Sequence, residues 1–119
     1  MKRLLAICTN PTSLHRALRL VAHQTRTDFV STRQQIDDLA TCADLSGYDL
    51  IVVSPIHWMI PTTTFAMIQL LRPRFSGSIV AVGNVAEWRR LMTQAGCDHT
   101  VRHDEETPHL IHHLLFSPA

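Results

Sequence analysis

Leu4-Leu5-Ala6-Ile7, Leu50-Ile51-Val52-Val53 and Ile79-Val80-Ala81-Val82 are short runs, each apolar at every position. A strand with one wet face alternates polar and apolar residues. A strand apolar throughout needs cover on both faces, as in a parallel sheet held between helices. Two weaker stretches, Asp28-Phe29-Val30-Ser31 and His99-Thr100-Val101-Arg102, predict strands nearer the sheet edge. Between these runs the period turns helical. Leu14, Ala17, Leu18 and Val21 recur at i, i+3, i+4, i+7, as do Ile36, Leu39, Ala40 and Ala43. Trp88, Leu91, Met92 and Ala95 repeat the stripe, and Gly96 follows where a helix wants its terminating glycine. Asn10-Pro11 reads as a cap and first helical residue. The segment 62–71 is apolar around most of its circumference and stops before Pro73. The last stripe sets Leu110, Ile111, Leu114 and Leu115 against His109, His112 and His113.

The order βαβαβαβαβα with short loops predicts an α/β protein. Right-handed crossovers leave few ways to lay five parallel strands. The expectation is a flavodoxin-like (βα)5 three-layer sandwich with strand order 2-1-3-4-5, filling residues 1–119 as one domain.

Composition narrows the function classes. The chain has 119 residues, 45% hydrophobic and 18% charged, an ordinary globular mixture. Eleven Lys+Arg against 10 Asp+Glu leave a formal charge of +1, which removes the broad electrostatic case for nucleic acid or an anionic membrane. The longest nearly apolar run, Leu50 to Ile60, is too short to span a bilayer and contains Ser54, Pro55 and His57. Met1 to Cys8 has the charge and apolarity of a short signal peptide, but it runs into Thr9-Asn10-Pro11, a helix entry and not a cleavage site. Cys8, Cys42 and Cys97 make no paired framework, and a cytoplasmic location is expected. Neither a GxGxxG loop nor a GxSxG elbow occurs, so no cofactor and no enzymatic activity are expected.

In a parallel sheet of this kind, ligands and chemistry gather at the carboxyl ends of the strands. The residues there read Cys8-Thr9-Asn10-Pro11, Ser31-Thr32, Ser54-Pro55-Ile56-His57, Gly83-Asn84 and Arg102-His103. Gly77 to Asn84 followed by Met92-Thr93-Gln94-Ala95-Gly96-Cys97-Asp98-His99-Thr100-Val101-Arg102-His103 resembles the fourth strand, fourth helix and AGAxxyvxKP turn of response-regulator receiver domains. Tyr48 to Ser54 resembles that family's third strand, which delivers the phosphoryl-accepting Asp. Ile7 to Pro11 resembles the end of its first strand, where an acidic cluster stands.

The resemblance implies a phosphoacceptor pocket, and the residues at its positions depart from the pattern. The acidic pair becomes Cys8 and Thr9, the acceptor becomes Ser54, the switch hydroxyl becomes Gly83, and the lysine becomes Arg102 or His103. Mg²⁺ wants clustered carboxylate oxygens, and no acidic residue falls at the ends of strands 1 or 3. A degenerate receiver, or pseudo-receiver, is the expectation: a phosphorylation-independent module of bacterial regulation, binding a protein partner or itself. The resemblance places that interface on the fourth helix, fifth strand and fifth helix, where Arg89, Arg90, His99, Arg102 and His103 stand with the acidic trio Asp104-Glu105-Glu106.

Other readings attach to single features. Cys8 before a polar helix entry is similar to the phosphocysteine loop of sugar-phosphotransferase IIB domains; a buried core thiol is the simpler reading. Trp58 and Met59, in an unusually apolar loop, suit either a partner anchor or a plug over the vacated pocket. Ser54 with His57 or His103 could be imagined as nucleophile and base, with no carboxylate in view to orient the base. His109 and His113 share a helical face, and His99 and His103 a strand face, but a pair is not a metal site. No metal is expected.

Overall fold

The computed structural model describes residues 1–8, 11–42, 44–54 and 61–116, with side chains for all of these except 11, 33, 40–42 and 61–63. The chain runs β1 (Lys2–Ile7), α1 (Pro11–Leu18), β2 (Thr25–Val30), α2 (Arg33–Cys42), β3 (Leu50–Val53), α3 (Pro61–Leu71), β4 (Ser78–Val82), α4 (Ala86–Ala95), β5 (His99–Val101) and α5 (Thr107–Phe116). Single 3₁₀ turns at Arg19–Val21, Arg72–Arg74 and Asp104–Glu106 follow α1 and α3 and precede α5.

All five strands lie parallel in the order β2-β1-β3-β4-β5, as the sequence pattern predicts. The apolar runs 4–7, 50–53 and 79–82 are the three central strands. Leu5, Ile7, Ile51, Val53, Ile79 and Ala81 face the side covered by α2, α3 and α4. Leu4, Ala6, Leu50, Val52, Val80 and Val82 face the side covered by α1 and α5.

Local differences from the expectation have local causes. The second strand begins at Thr25, three residues before the predicted start, because pairing with β1 from Lys2↔Thr25 onward supports residues whose own pattern is polar. The fifth ends at Val101, short of Arg102. The first helical stripe extends to Val21, but α-helix gives way to the tighter turn after Leu18. A capping box that the periodicity did not register starts α2. Gln35 N–H donates to Thr32 Oγ1 at 3.2 Å, and Gln35 Oε1 accepts from Thr32 N–H at 3.1 Å and Ser31 N–H at 3.0 Å. Helix α4 ends as expected at Gly96, whose φ of 126° is open to glycine and strained for other residues.

Candidate functional site at the carboxyl edge of the sheet

Backbone hydrogen bonds continue the ladder one step past the strands and fix what stands at their ends. Cys8 N–H donates to Val30 O at 3.0 Å, Ser54 N–H to Ile7 O at 2.8 Å, and Gly83 N–H to Val101 O at 2.9 Å. Cys8, Ser54 and Gly83 therefore share one rim, where the sequence places them. Cys8 and Ser54 are buried, at 1% and 5% exposure. Arg102 and His103 are exposed beside them. Thr9, Asn10, His57, Trp58 and Met59 lie outside the described residues, as does Ala43.

The structure adds a residue that sequence reasoning assigned to the outer surface. Ser54 Oγ donates to Asp104 Oδ1 at 3.2 Å. Asp104 opens the 3₁₀ turn after β5, in which Glu106 N–H donates to His103 O at 3.0 Å and the buried Thr107 Oγ1 donates to Asp104 O at 2.7 Å. This turn packs on α1 and folds the Asp104 carboxylate back over the rim. A carboxylate thus reaches the rim, and it arrives from the fifth strand's loop; the described residues that end the first and third strands carry none. It meets Ser54 directly; the Ser54 hydroxyl is paired with Asp104 and not with His103. The nearest sequence signal was the acidic trio Asp104-Glu105-Glu106 immediately after the strand end.

Electrostatics at the rim disfavour nucleophilic chemistry. Burial pushes the Cys8 thiol up to about 11, and the negative charge of Asp104 adds to the effect. A thiol that serves as a phosphoryl acceptor needs the opposite shift, so the phosphocarrier reading is not favoured. Gly83 is closely packed: a Cβ there would sit 2.5 Å from Met92 Cε and 3.6 Å from Arg89 Cγ. Met92, 2% exposed, fills the space a hydroxyl side chain would need.

On the neighbouring surface, Arg89 Nη1 donates to Gly83 O at 2.8 Å, tying α4 to the rim. Arg90 pairs with Glu87 one turn earlier on α4. His99 is half-buried, and Arg102 and His103 are exposed. The residues named from the sequence lie on α4 (Arg89, Arg90), on β5 (His99) and just after it (Arg102, His103), with Arg89 partly occupied in holding the loop. Among the described residues, no group of three His, Cys, Asp or Glu side chains could hold a metal ion, and no helix is long and apolar enough to cross a membrane.

No family model matches the sequence, and no curated protein matches it. Solved structures do. A two-component response regulator from Clostridium difficile superposes with a TM-score of 0.72 at 14% identity, covering 97% of this chain and 96% of that one. A CheY-like protein from Pseudomonas aeruginosa PAO1 matches with a TM-score of 0.70 at 16% identity, covering 100% of this chain and 97% of the other. The receiver domain of a sensor histidine kinase from the same organism, with a magnesium ion coordinated in its active-site cleft, matches with a TM-score of 0.68 at 18% identity, covering 98% of both chains. The chain has the fold of response-regulator receiver domains.

Proposed function

We propose that this chain is a degenerate receiver domain: a non-enzymatic, cytoplasmic signalling module that works without phosphorylation, by binding a protein partner or a second copy of itself. The observation carrying this reading is the rim. Phosphoryl transfer to a receiver needs an ionised carboxylate nucleophile and a hard cation held by several carboxylate oxygens. Cys8 is buried with its thiol pushed well above the ordinary value, Ser54 is a hydroxyl, and Asp104 already accepts the Ser54 hydrogen bond. Gly83 leaves no hydroxyl to report a phosphoryl group, and Met92 fills its place.

The binding surface in this reading is that of α4, β5 and α5, with Arg89, Arg90, His99, Arg102 and His103. Cationic side chains beside Asp104-Glu105-Glu106 favour orientation and partner choice over raw affinity. Trp58 and Met59 are candidates for an apolar anchor in the same reading.

The test is intact mass after incubation with Mg²⁺ and a small-molecule phosphodonor, beside a phosphorylatable receiver as control. The expected result is no phosphoryl adduct on this chain. A stoichiometric adduct would overturn the reading, and its loss in Cys8→Ser would restore the phosphocarrier. The surface is tested by Arg90→Glu with Arg102→Glu, which leave the Arg89 tether intact. Association unaffected by the double reversal would count against α4–β5–α5 as the interface.

A further inference from the structure

Strand β2 is six residues long, stands at the sheet edge, and pairs with β1 alone. Two hydrogen bonds set its parity: Lys2 N–H donates to Gln24 O at 3.3 Å, and Cys8 N–H donates to Val30 O at 3.0 Å. In a parallel ladder the inward-bonding residues alternate, so Gln24, Arg26, Asp28 and Val30 turn their backbone groups toward β1. The N–H and C=O of Thr25, Thr27 and Phe29 point the other way, off the edge. Thr25 is only 5% exposed, with Oγ1 donating to Val21 O at 2.8 Å; Thr27 and Phe29 are half-buried. The accessible free edge is therefore centred on Thr27.

The residues flanking Thr27 are of opposite charge and lie on one face of the strand. Edge strands usually carry like charges that repel a second copy. Arg26-Thr27-Asp28 does the reverse. If two copies meet antiparallel with a twofold axis at Thr27, each Arg26 faces the other copy's Asp28. In that register Thr27 opposes Thr27 as a hydrogen-bonded pair, each N–H reaching the other's C=O, because its groups are the outward ones. Arg26 and Asp28 then fall at the non-hydrogen-bonded positions, where facing side chains come closest. Asp28 can accept another donor: its bonds from Tyr48 Oη (2.7 Å) and Arg3 Nη2 (3.2 Å) both end on Oδ2.

We infer that the β2 edge is a self-association surface, whose partner is the same edge of a second copy, joined through Thr27 with reciprocal Arg26–Asp28 pairs. The contact is isologous, so it closes at two copies and does not propagate. The buried Thr25 limits the ladder on either side of the axis. Such a short seam lies at the weak end of specific interfaces, and the dimer is expected at tens to hundreds of micromolar. It is separate from the α4–β5–α5 surface, since β2 and β5 are opposite edges of the sheet.

Sedimentation equilibrium and amide hydrogen exchange test it together. The wild-type chain is expected to dimerise with rising concentration, and the Thr27 amide to become protected as it does, while the Asp28 amide, bonded to β1, is protected throughout. Thr27→Pro removes a donor only from the outer edge and should weaken the dimer more than tenfold. Arg26→Glu, at an exposed side chain that makes no hydrogen bond to Asp28 and whose charge is the last of the causes acting on that carboxylate, should do the same. Asp28→Lys alone should also be monomeric, but an equimolar mixture of Arg26→Glu and Asp28→Lys chains should form heterodimers, in which Glu faces Lys and Asp faces Arg. A wild-type chain that stays monomeric at millimolar concentration overturns the inference. So does a dimer indifferent to both Arg26→Glu and Thr27→Pro. Arg90→Glu/Arg102→Glu leaves this dimer intact, which separates it from the surface proposed above.

Discussion

Asp104 Oδ1 accepts the Ser54 hydroxyl at 3.2 Å, tying the end of β3 to the turn after β5 across 50 residues of sequence. The same carboxylate acts on Cys8, whose thiol is pushed up to about 11 first by burial and then by this charge. Replacing Asp104 by Asn removes only the lesser cause. In a chain with Cys42→Ser and Cys97→Ser, ultraviolet thiolate absorbance should show Cys8 titrating lower in Asp104→Asn, yet still above the ordinary value of 9.0. A Cys8 that ionises near neutrality in either protein would contradict the account of the rim.

Gly83→Thr would place a hydroxyl at the end of β4 at a steric cost. Its Cβ would fall 2.5 Å from Met92 Cε, so the buried methionine must move. Overpacking of this kind costs about 1–3 kcal/mol. Urea denaturation should show a loss in that range for Gly83→Thr. Met92→Ala in the Gly83→Thr background should recover part of it, because the clash is with that side chain.

Arg72 joins the ends of α3, β4 and α4. Its guanidinium donates to Gly96 O at 3.2 Å, Asp98 Oδ2 and Gly77 O at 2.8 Å, and Phe75 O. Its stem lies against Gly96, where a Cβ would come within 2.9 Å of Arg72 Cγ. Arg72→Ala strands several carbonyls and a carboxylate and should cost about 3 kcal/mol in chemical denaturation. Arg72→Lys should recover little, since an ammonium cannot fork to these acceptors.

The acid side of the stability profile follows from two carboxylates. The Tyr48 hydroxyl, against some desolvation and with help from Arg3, holds Asp28 below the usual range. Burial raises Asp98, but the Ile79 N–H and the Arg72 guanidinium together outweigh it, and it too ends low. A folded pKa below the unfolded one gives stability that is complete above the unfolded pKa, about 3.9, and is lost as pH falls through the folded value. The melting temperature should therefore decline below about pH 4, and Asp28→Asn/Asp98→Asn should flatten that decline. At the alkaline end Cys8 and Cys97 are both raised by burial, so their contribution is complete below the unfolded thiol value and falls as pH rises toward the folded one. A profile flat between pH 2 and pH 5 would rule out the acid-side account.

The runs 4–7, 50–53 and 79–82 were legible as central strands because only a strand covered on both faces tolerates apolar side chains on both. The helical stripes gave the intervening helices for the same reason, and Gly96 marked the end of α4 because its φ of 126° suits glycine. The polar start of β2 was not legible, since Thr25 and Arg26 belong to the sheet through pairing with Lys2 and Arg3 and not through their own pattern. That Cys8, Ser54 and Gly83 stand just past the strand ends was legible because each immediately follows an apolar run, and hydrogen bonding to the next strand holds it there.

Sequence by itself determined the layers, the strand order and the lack of acidic residues at the ends of the first and third strands, because each depends on local periodicity or on residue identity. Only the tertiary structure decided that Asp104 turns inward to Ser54, that Met92 closes the space at Gly83, and that Thr27 presents its backbone to the outer edge. These depend on contacts between residues far apart in the chain, and on a ladder parity set by a neighbouring strand, neither of which local spacing encodes.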